Sequence, residues 1–221
     1  MTMLQQEVRA CPVCEARFPI SMVTSSGSFG ADSDFRPRFW GPDPTEHFVQ
    51  ACMQCGFSGT EDDFLDGVTE GVIRKIRKFL TPRTRDLTKQ SGAFYKYEFL
   101  ALIYEWEDRS SREVGDGFLR ASWIARGCGN REKERLYQRE AVRRFEEALE
   151  VGECGTQEER AVLSYLVGDL HRRLNRRRRA ETWFHRAGEE FELLEPRIQE
   201  DLGWLVDQIR RQIEAPADTF D

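Results

Sequence analysis

The chain has no long apolar run: nothing in its 221 residues approaches the roughly 18–20 apolar residues that a membrane span needs. Its first residues, Met1-Thr-Met-Leu-Gln-Gln-Glu-Val-Arg9, lack the charged and then greasy profile of a secretory signal. Both features place the protein in the cytoplasm, away from membranes, where thiols stay reduced. A basic surplus is also missing. Lys and Arg together number 33 against 39 acids, giving a net charge of −6 and an isoelectric point near 5.4. That balance argues against generic nucleic-acid binding, which needs a basic footprint. The chain shows no Ser-His-Asp arrangement, no phosphate-cradling glycine loop and no nucleotide motif, so it reads as non-enzymatic.

What is present is enough to fold. Hydrophobic residues make up 39% and aromatics 11% of the chain, although a third is charged and the mean hydropathy is −0.62. This supports a packed core and excludes wholesale disorder. The length fits a small domain followed by a larger one.

The first sixty residues differ in texture from the rest, holding four of the six cysteines and most of the prolines. Turn-rich stretches at 21–30 and 36–44 leave room only for short extended segments, at 18–23 and 47–51. So small a region buries too little surface to fold alone and needs a staple. The staple is in the sequence: Cys11-Pro-Val-Cys14 and Cys52-Met-Gln-Cys55-Gly56. In a reducing compartment, paired cysteines at this spacing read as metal ligands, not disulfides. Four thiolates make a closed tetrahedral set for one structural zinc ion, with no open position for catalysis. Gly56 suits the positive φ that a knuckle requires after its second cysteine. Cys-Pro-x-Cys also occurs as a redox dithiol, but the βαβ context of that motif is not visible here. His47 reads as a polar loop residue, and Cys128 and Cys154 as small buried side chains.

Thr60-Glu-Asp-Asp63 forms a capping box. A helix from 68 to 80 follows, with Val72, Ile73, Ile76, Phe79 and Leu80 on one face, and Thr81-Pro82 is expected to stop it. Residues 83–92 read as a linker. From 93 onward the pattern is helical: 93–108, aromatic nearly all round and hence sandwiched, then 112–127, 131–151, 158–174, 177–194 and 197–213. Ala141-x3-Phe145-x2-Ala148 recurs as Ala180-x3-Phe184-x2-Ala187, which resembles the tetratricopeptide repeat of stacked helix pairs. The domain plan is therefore a zinc-ribbon-like module at 1–60, short helices and linker at 61–92, a tetratricopeptide-like array at 93–215 and a tail at 216–221. The fold class is mainly α.

On helix 158–174 the stripe Leu163, Leu166, Val167, Leu170 and Leu174 is apolar, leaving Tyr165, Asp169, Arg172 and Arg173 on the other side. In tetratricopeptide repeats such positions line a peptide-binding groove, so these four are candidates for gripping an acidic segment through arginine forks. An ordinary exposed helix face accounts for them equally well. Arg172, Arg173 and Arg176 to Arg179 also form a dense basic patch, readable as a nucleic-acid contact or as a solvated turn. His171 and His185 lie on successive helices and read as packing residues.

In order, Cys11-Pro-Val-Cys14, Asp32-Ser-Asp-Phe35, Cys52-Met-Gln-Cys55-Gly56, Glu61-Asp-Asp-Phe64, Tyr165-Leu-Val-Gly-Asp-Leu-His-Arg-Arg-Leu174 and Ala180-Glu-Thr-Trp-Phe184 resemble the bacterial domain-of-unknown-function family 2225. The resemblance covers roughly residues 8–195. It implies a zinc-ribbon-like start and a repeat-like helical body, and no particular activity. Two functions from different classes fit: an adaptor binding a protein or peptide partner, or a regulatory module contacting nucleic acid through the ribbon or the Arg172–Arg179 patch.

Overall fold

The computed structural model describes residues 2–87 and 92–214. Two β-hairpins carry the cysteines. Strands β1 (Met3–Ala10) and β2 (Arg17–Ser25) pair antiparallel with Ala10 opposite Arg17, so residues 11–16 form the turn. The hairpin that places the second cysteine pair is built later in the chain. Between the two lie β3 (Ser28–Ala31) and β4 (Pro37–Phe39), paired with each other, and a 3₁₀ turn at Thr45–His47. Then β5 (Gln50–Ala51) and β6 (Ser58–Gly59) pair around residues 52–57.

The extended segment expected at 18–23 lies within β2, but that at 47–51 shortens to two residues. There the Asp43 carboxylate accepts a hydrogen bond from the Thr45 backbone N–H at 2.9 Å and holds the preceding residues in the turn. Strand β1 is unanticipated. Its apolar residues Met3, Leu4 and Val8 are all exposed, so no apolar alternation announces it, and the β2 ladder is what orders it.

Helix α1 (Glu61–Asp66) starts at the expected box, with the Thr60 hydroxyl accepting from the Asp63 N–H and the Asp63 carboxylate from the Thr60 N–H. Helix α2 (Glu70–Lys75) then runs into a π-helical turn, Ile76–Leu80, and on into α3 (Thr81–Leu87). Thr81-Pro82 therefore does not stop the helix. Proline stops an α-helix because it removes a hydrogen bond and clashes with the carbonyl one turn back. The wider turn moves that carbonyl: the Thr81 N–H bonds to Ile76 O, five residues back, and Pro82 has no donor left to satisfy. The stretch expected as linker is thus helical through Leu87, while 88–91 lie outside the described residues.

The body comprises α4 (Phe94–Trp106), α5 (Ser111–Gly127), α6 (Arg131–Val151), α7 (Gln157–Arg173), α8 (Arg177–Glu192), α9 (Pro196–Asp201) and α10 (Gly203–Glu214). Helices α5 and α6 form one closely packed pair, α7 and α8 another. In each pair a glycine of the first helix receives a phenylalanine of the second. A Cβ on Gly115 would come within 2.5 Å of the Phe145 ring, and one on Gly168 within 2.7 Å of Phe184. The small-aromatic-small echo in the sequence thus marks two equivalent helix contacts. The helix expected at 197–213 divides in two: the backbone breaks at Leu202, and Leu202, Leu205 and Ile209 are buried while Ile213 is 40% exposed.

The molecule is mainly helical, with a ribbon-like cysteine module at its start. The division at residue 60 is not a physical seam, because one apolar cluster runs from Cys11, Cys52 and Phe57 through Phe64, Val72, Ile76 and Leu80 to Phe99 and Ile103 of α4. Helix α4 is sandwiched as its aromatic content requires: Phe99 faces the cysteine module, whereas Phe94 and Tyr97 face α5 and α6.

Candidate metal centre and its clasp

Each cysteine pair sits in the same backbone turn. Cys11 N donates to Ala16 O at 2.9 Å and Glu15 N to Cys11 O at 2.9 Å; Cys52 N donates to Phe57 O at 2.8 Å and Gly56 N to Cys52 O at 2.8 Å. A backbone N–H also points at sulfur in each, Val13 N to Cys11 Sγ at 3.5 Å and Phe57 N to Cys55 Sγ at 3.4 Å. The residue after the second cysteine has positive φ in both turns, 61° at Glu15 and 86° at Gly56. The two turns nevertheless place different demands on that residue. Gly56 lies against the π-helical turn, and Thr81 Oγ1 donates to Cys55 O at 2.9 Å. Glu15 is exposed and keeps its side chain in solvent.

The four sulfurs lie within 4.8 Å of one another, with Cys11–Cys55 and Cys14–Cys52 Sγ pairs both at 3.6 Å. Zn–S bonds of about 2.3 Å in a tetrahedron separate neighbouring sulfurs by about 3.8 Å, so the set has the size and donor chemistry to hold such an ion. Hydrogen bonding among the thiols favours the thiolate at Cys52 and the protonated thiol at Cys11. Cys11, Cys52 and Cys55 are buried and Cys14 half-buried, so little water reaches the cluster. His47 stays outside the sulfur cluster, with Nε2 on the Glu46 carboxylate at 3.4 Å.

The four residues expected to line an open groove are occupied instead. Tyr165 and Asp169 are fully buried, and what buries them is the segment Asp32-Ser-Asp-Phe35. The Tyr165 hydroxyl donates to Ser33 O at 3.0 Å, and the Ser33 hydroxyl donates to Asp169 at 3.0 Å. Arg172 and Arg173 donate to Ser33 Oγ at 3.1 and 2.8 Å and fork onto Asp169 at 2.7–2.9 Å. Helical periodicity placed these four on one face correctly. It carried no sign that residues more than 130 positions earlier cover that face.

Asp34 is the centre of this clasp. Its carboxylate has no solvent exposure and is held by Arg126 and Arg173, while Arg126 also reaches Glu134 at 2.7 Å and Asp32 at 3.3 Å. Burial pushes the Asp34 carboxyl up, but the Arg173 charge and the Arg126 hydrogen bond outweigh it and leave it below the ordinary range. Phe35 follows with φ of 64°, a conformation costly for a bulky residue, and its ring packs 5.5 Å from Tyr165 and 5.7 Å from Trp204. The sequence motif drew attention to Asp32 through Phe35 without assigning them a role, and nothing local marked Arg126 as their partner.

The other candidates separate. Arg176, Arg177, Arg178 and Arg179 line a shallow hollow at the start of α8; Arg177 pairs with Glu181 at 3.0 Å. His171 is buried against Glu146 at 2.9 Å, whereas His185 is exposed. Cys154 is half-buried beside the core, but Cys128 is exposed, contrary to expectation, because it falls after the last turn of α5. Of the apolar residues expected on one face of 68–80, Val72, Ile76 and Leu80 are buried but Phe79 is 50% exposed. The opposite face exposes Arg74, Lys75, Arg77 and Lys78, a signal plain in the residues themselves.

Among the described residues no helix is long and apolar enough to cross a membrane. A protein-family model described as "uncharacterized protein conserved in bacteria (DUF2225)" matches residues 4–212. No curated protein and no solved structure matches the chain.

Proposed function

We propose that the chain, which belongs to the DUF2225 family of bacterial proteins, is a non-enzymatic adaptor of the cytoplasm: a zinc-stapled module joined to a tetratricopeptide-like body that receives an acidic, aromatic-ended segment of a protein partner. The observation that carries this reading is the buried Asp34 carboxylate between Arg126 and Arg173. The body already holds a short peptide segment by the means such surfaces use on partners: arginine forks on carboxylates, a hydroxyl on a backbone carbonyl, and a ring seated between aromatics. A partner segment of the same character competes for the cradle.

The closed thiolate set supports a structural role for zinc. Cys11, Cys14, Cys52 and Cys55 would all be ligands, leaving no position for water or substrate. The ion would fix the two hairpin tips, and through them the chain that leads into the clasp.

Because the resident segment is tethered, it acts at an effective concentration in the millimolar range and suppresses free peptide. The test is fluorescence anisotropy with a labelled peptide spanning residues 31–37. The expected result is at least tenfold tighter binding to an Asp34→Asn/Phe35→Ala chain than to the wild type, lost on adding Arg173→Glu. Failure of the opened chain to take the peptide, with its helical content intact, would overturn the adaptor reading.

A further inference from the structure

The rod formed by α2, the π-helical turn and α3 turns Val72, Ile76, Leu80 and Leu87 into the core beside the cysteines. Its outer face has a different character. Arg74, Lys75, Arg77, Lys78 and Arg85 are exposed there, opposed only by Glu70 and Asp86 at the two ends. Arg83 turns away to bond Glu98 at 2.6 Å. Among the described residues Arg74, Lys75, Lys78 and Arg85 have no ion pair.

Elsewhere among the described residues the cations divide: Arg135, Arg139, Arg178 and Arg179 also lack an ion pair, while many others are paired. Acids outnumber cations, and Arg109, Arg126, Arg144, Arg160 and Arg173 are all matched to carboxylates. Unmatched cations along about 17 Å of helix repel one another within a Debye length of about 8 Å. Such a row is relieved by a partner that is itself a row of negative charge.

A second feature narrows the partner. Phe79 presents a half-exposed ring at the edge of the cationic face, with the Lys78 ammonium 5.0 Å from its centroid and the Trp106 ring 6.0 Å away. Cations that track a backbone beside aromatic rings that accept bases are the combination by which proteins bind single-stranded nucleic acid. The face does not suit insertion into a lipid surface, because the apolar stripe an amphipathic helix would bury in a membrane is already spent on the core.

We infer that the outer face of α2–α3, with Phe79 and Trp106 at its edge, is a binding surface for single-stranded nucleic acid. It is distinct from the Asp34 clasp and independent of the adaptor reading. It also differs from the arginine hollow on α8, whose four lining residues include no aromatic ring.

The test uses the full metal-loaded chain and fluorescein-labelled 20-nucleotide oligo(U) and oligo(dT), followed by anisotropy between 50 and 200 mM salt. Binding is expected with log K falling against log salt by about 0.7 for each phosphate contacted. Arg74→Glu/Lys75→Glu/Lys78→Glu should weaken binding at least tenfold and flatten that slope. Phe79→Ala should weaken it at least fivefold with the slope unchanged, and Arg178→Glu should change neither. A preference between the two oligonucleotides identifies RNA or DNA as the ligand. No binding to either at 50 mM salt would overturn the proposal, as would loss confined to Arg178→Glu. Equal binding of phosphatidylserine vesicles or polyglutamate that ignores Phe79→Ala would also overturn it, in favour of a surface for any polyanion.

Discussion

Gly56 and Leu80 are in contact across the boundary between the second cysteine turn and the π-helical turn: a Cβ on Gly56 would stand 2.8 Å from Leu80 Cβ. The glycine is needed twice over, for its φ of 86° and for that approach. Gly56→Ala should cost about 2 kcal/mol or more in thermal stability of the metal-loaded protein. Glu15→Gly, at the matching position of the first turn, should stay within about 1 kcal/mol of wild type. Equal effects at both sites in calorimetry would show that contact with the π-helical turn does not matter.

Removing the metal should reach further than the cysteine hairpins. Since Phe64, Val72, Ile76 and Leu80 share an apolar cluster with the cysteines, chelation should deprotect α1 to α3 along with residues 2–59. Amides of α5 to α8 should remain protected, because their buried residues belong to two other clusters. Hydrogen exchange with and without chelator reads both regions directly. Elemental analysis should find one zinc per chain, falling on Cys52→Ser.

The Asp34 clasp has a definite pH signature. Its folded carboxyl titrates below the unfolded value of about 3.9, so its contribution is complete above that pH and is lost as pH falls through the folded value. Asp34→Asn should destabilise the protein by about 3 kcal/mol at pH 7. The gap from wild type should close toward pH 3. Urea denaturation at a series of pH values would check this; a gap independent of pH would mean the charge contributes nothing.

Gly168→Ala should cost about 1–3 kcal/mol by driving a methyl into the Phe184 ring. Adding Phe184→Leu should recover part of that loss. A double-mutant cycle without coupling would remove the contact from the account of how α7 and α8 meet.

The residues made some of this architecture readable and hid other parts of it. Cysteine spacing and the Gly56 signal report local geometry, so the paired turns were legible. Helical periodicity located α5 to α8 within a residue or two. Pro82 misled because its usual effect assumes α-helical spacing, and the π turn alters that spacing. The groove residues Tyr165, Asp169, Arg172 and Arg173 were placed on the right face, yet their state depends on Asp32 to Phe35, and periodicity cannot report a contact so distant in sequence. Strand β1 was invisible for a related reason: pairing alone holds it, with no buried side to leave a pattern.

Asp34 and Arg173 stand 139 positions apart, and this separation orders events during synthesis. At about 5–20 residues per second, the ribosome needs on the order of ten seconds after Asp34 to supply Arg173. Throughout that interval the cysteine turns can gather and take up metal, while the acidic segment has no cradle. Closure of the clasp therefore waits until α7 has been made. A product truncated before α7 would carry the acidic segment uncovered, where proteases can reach it.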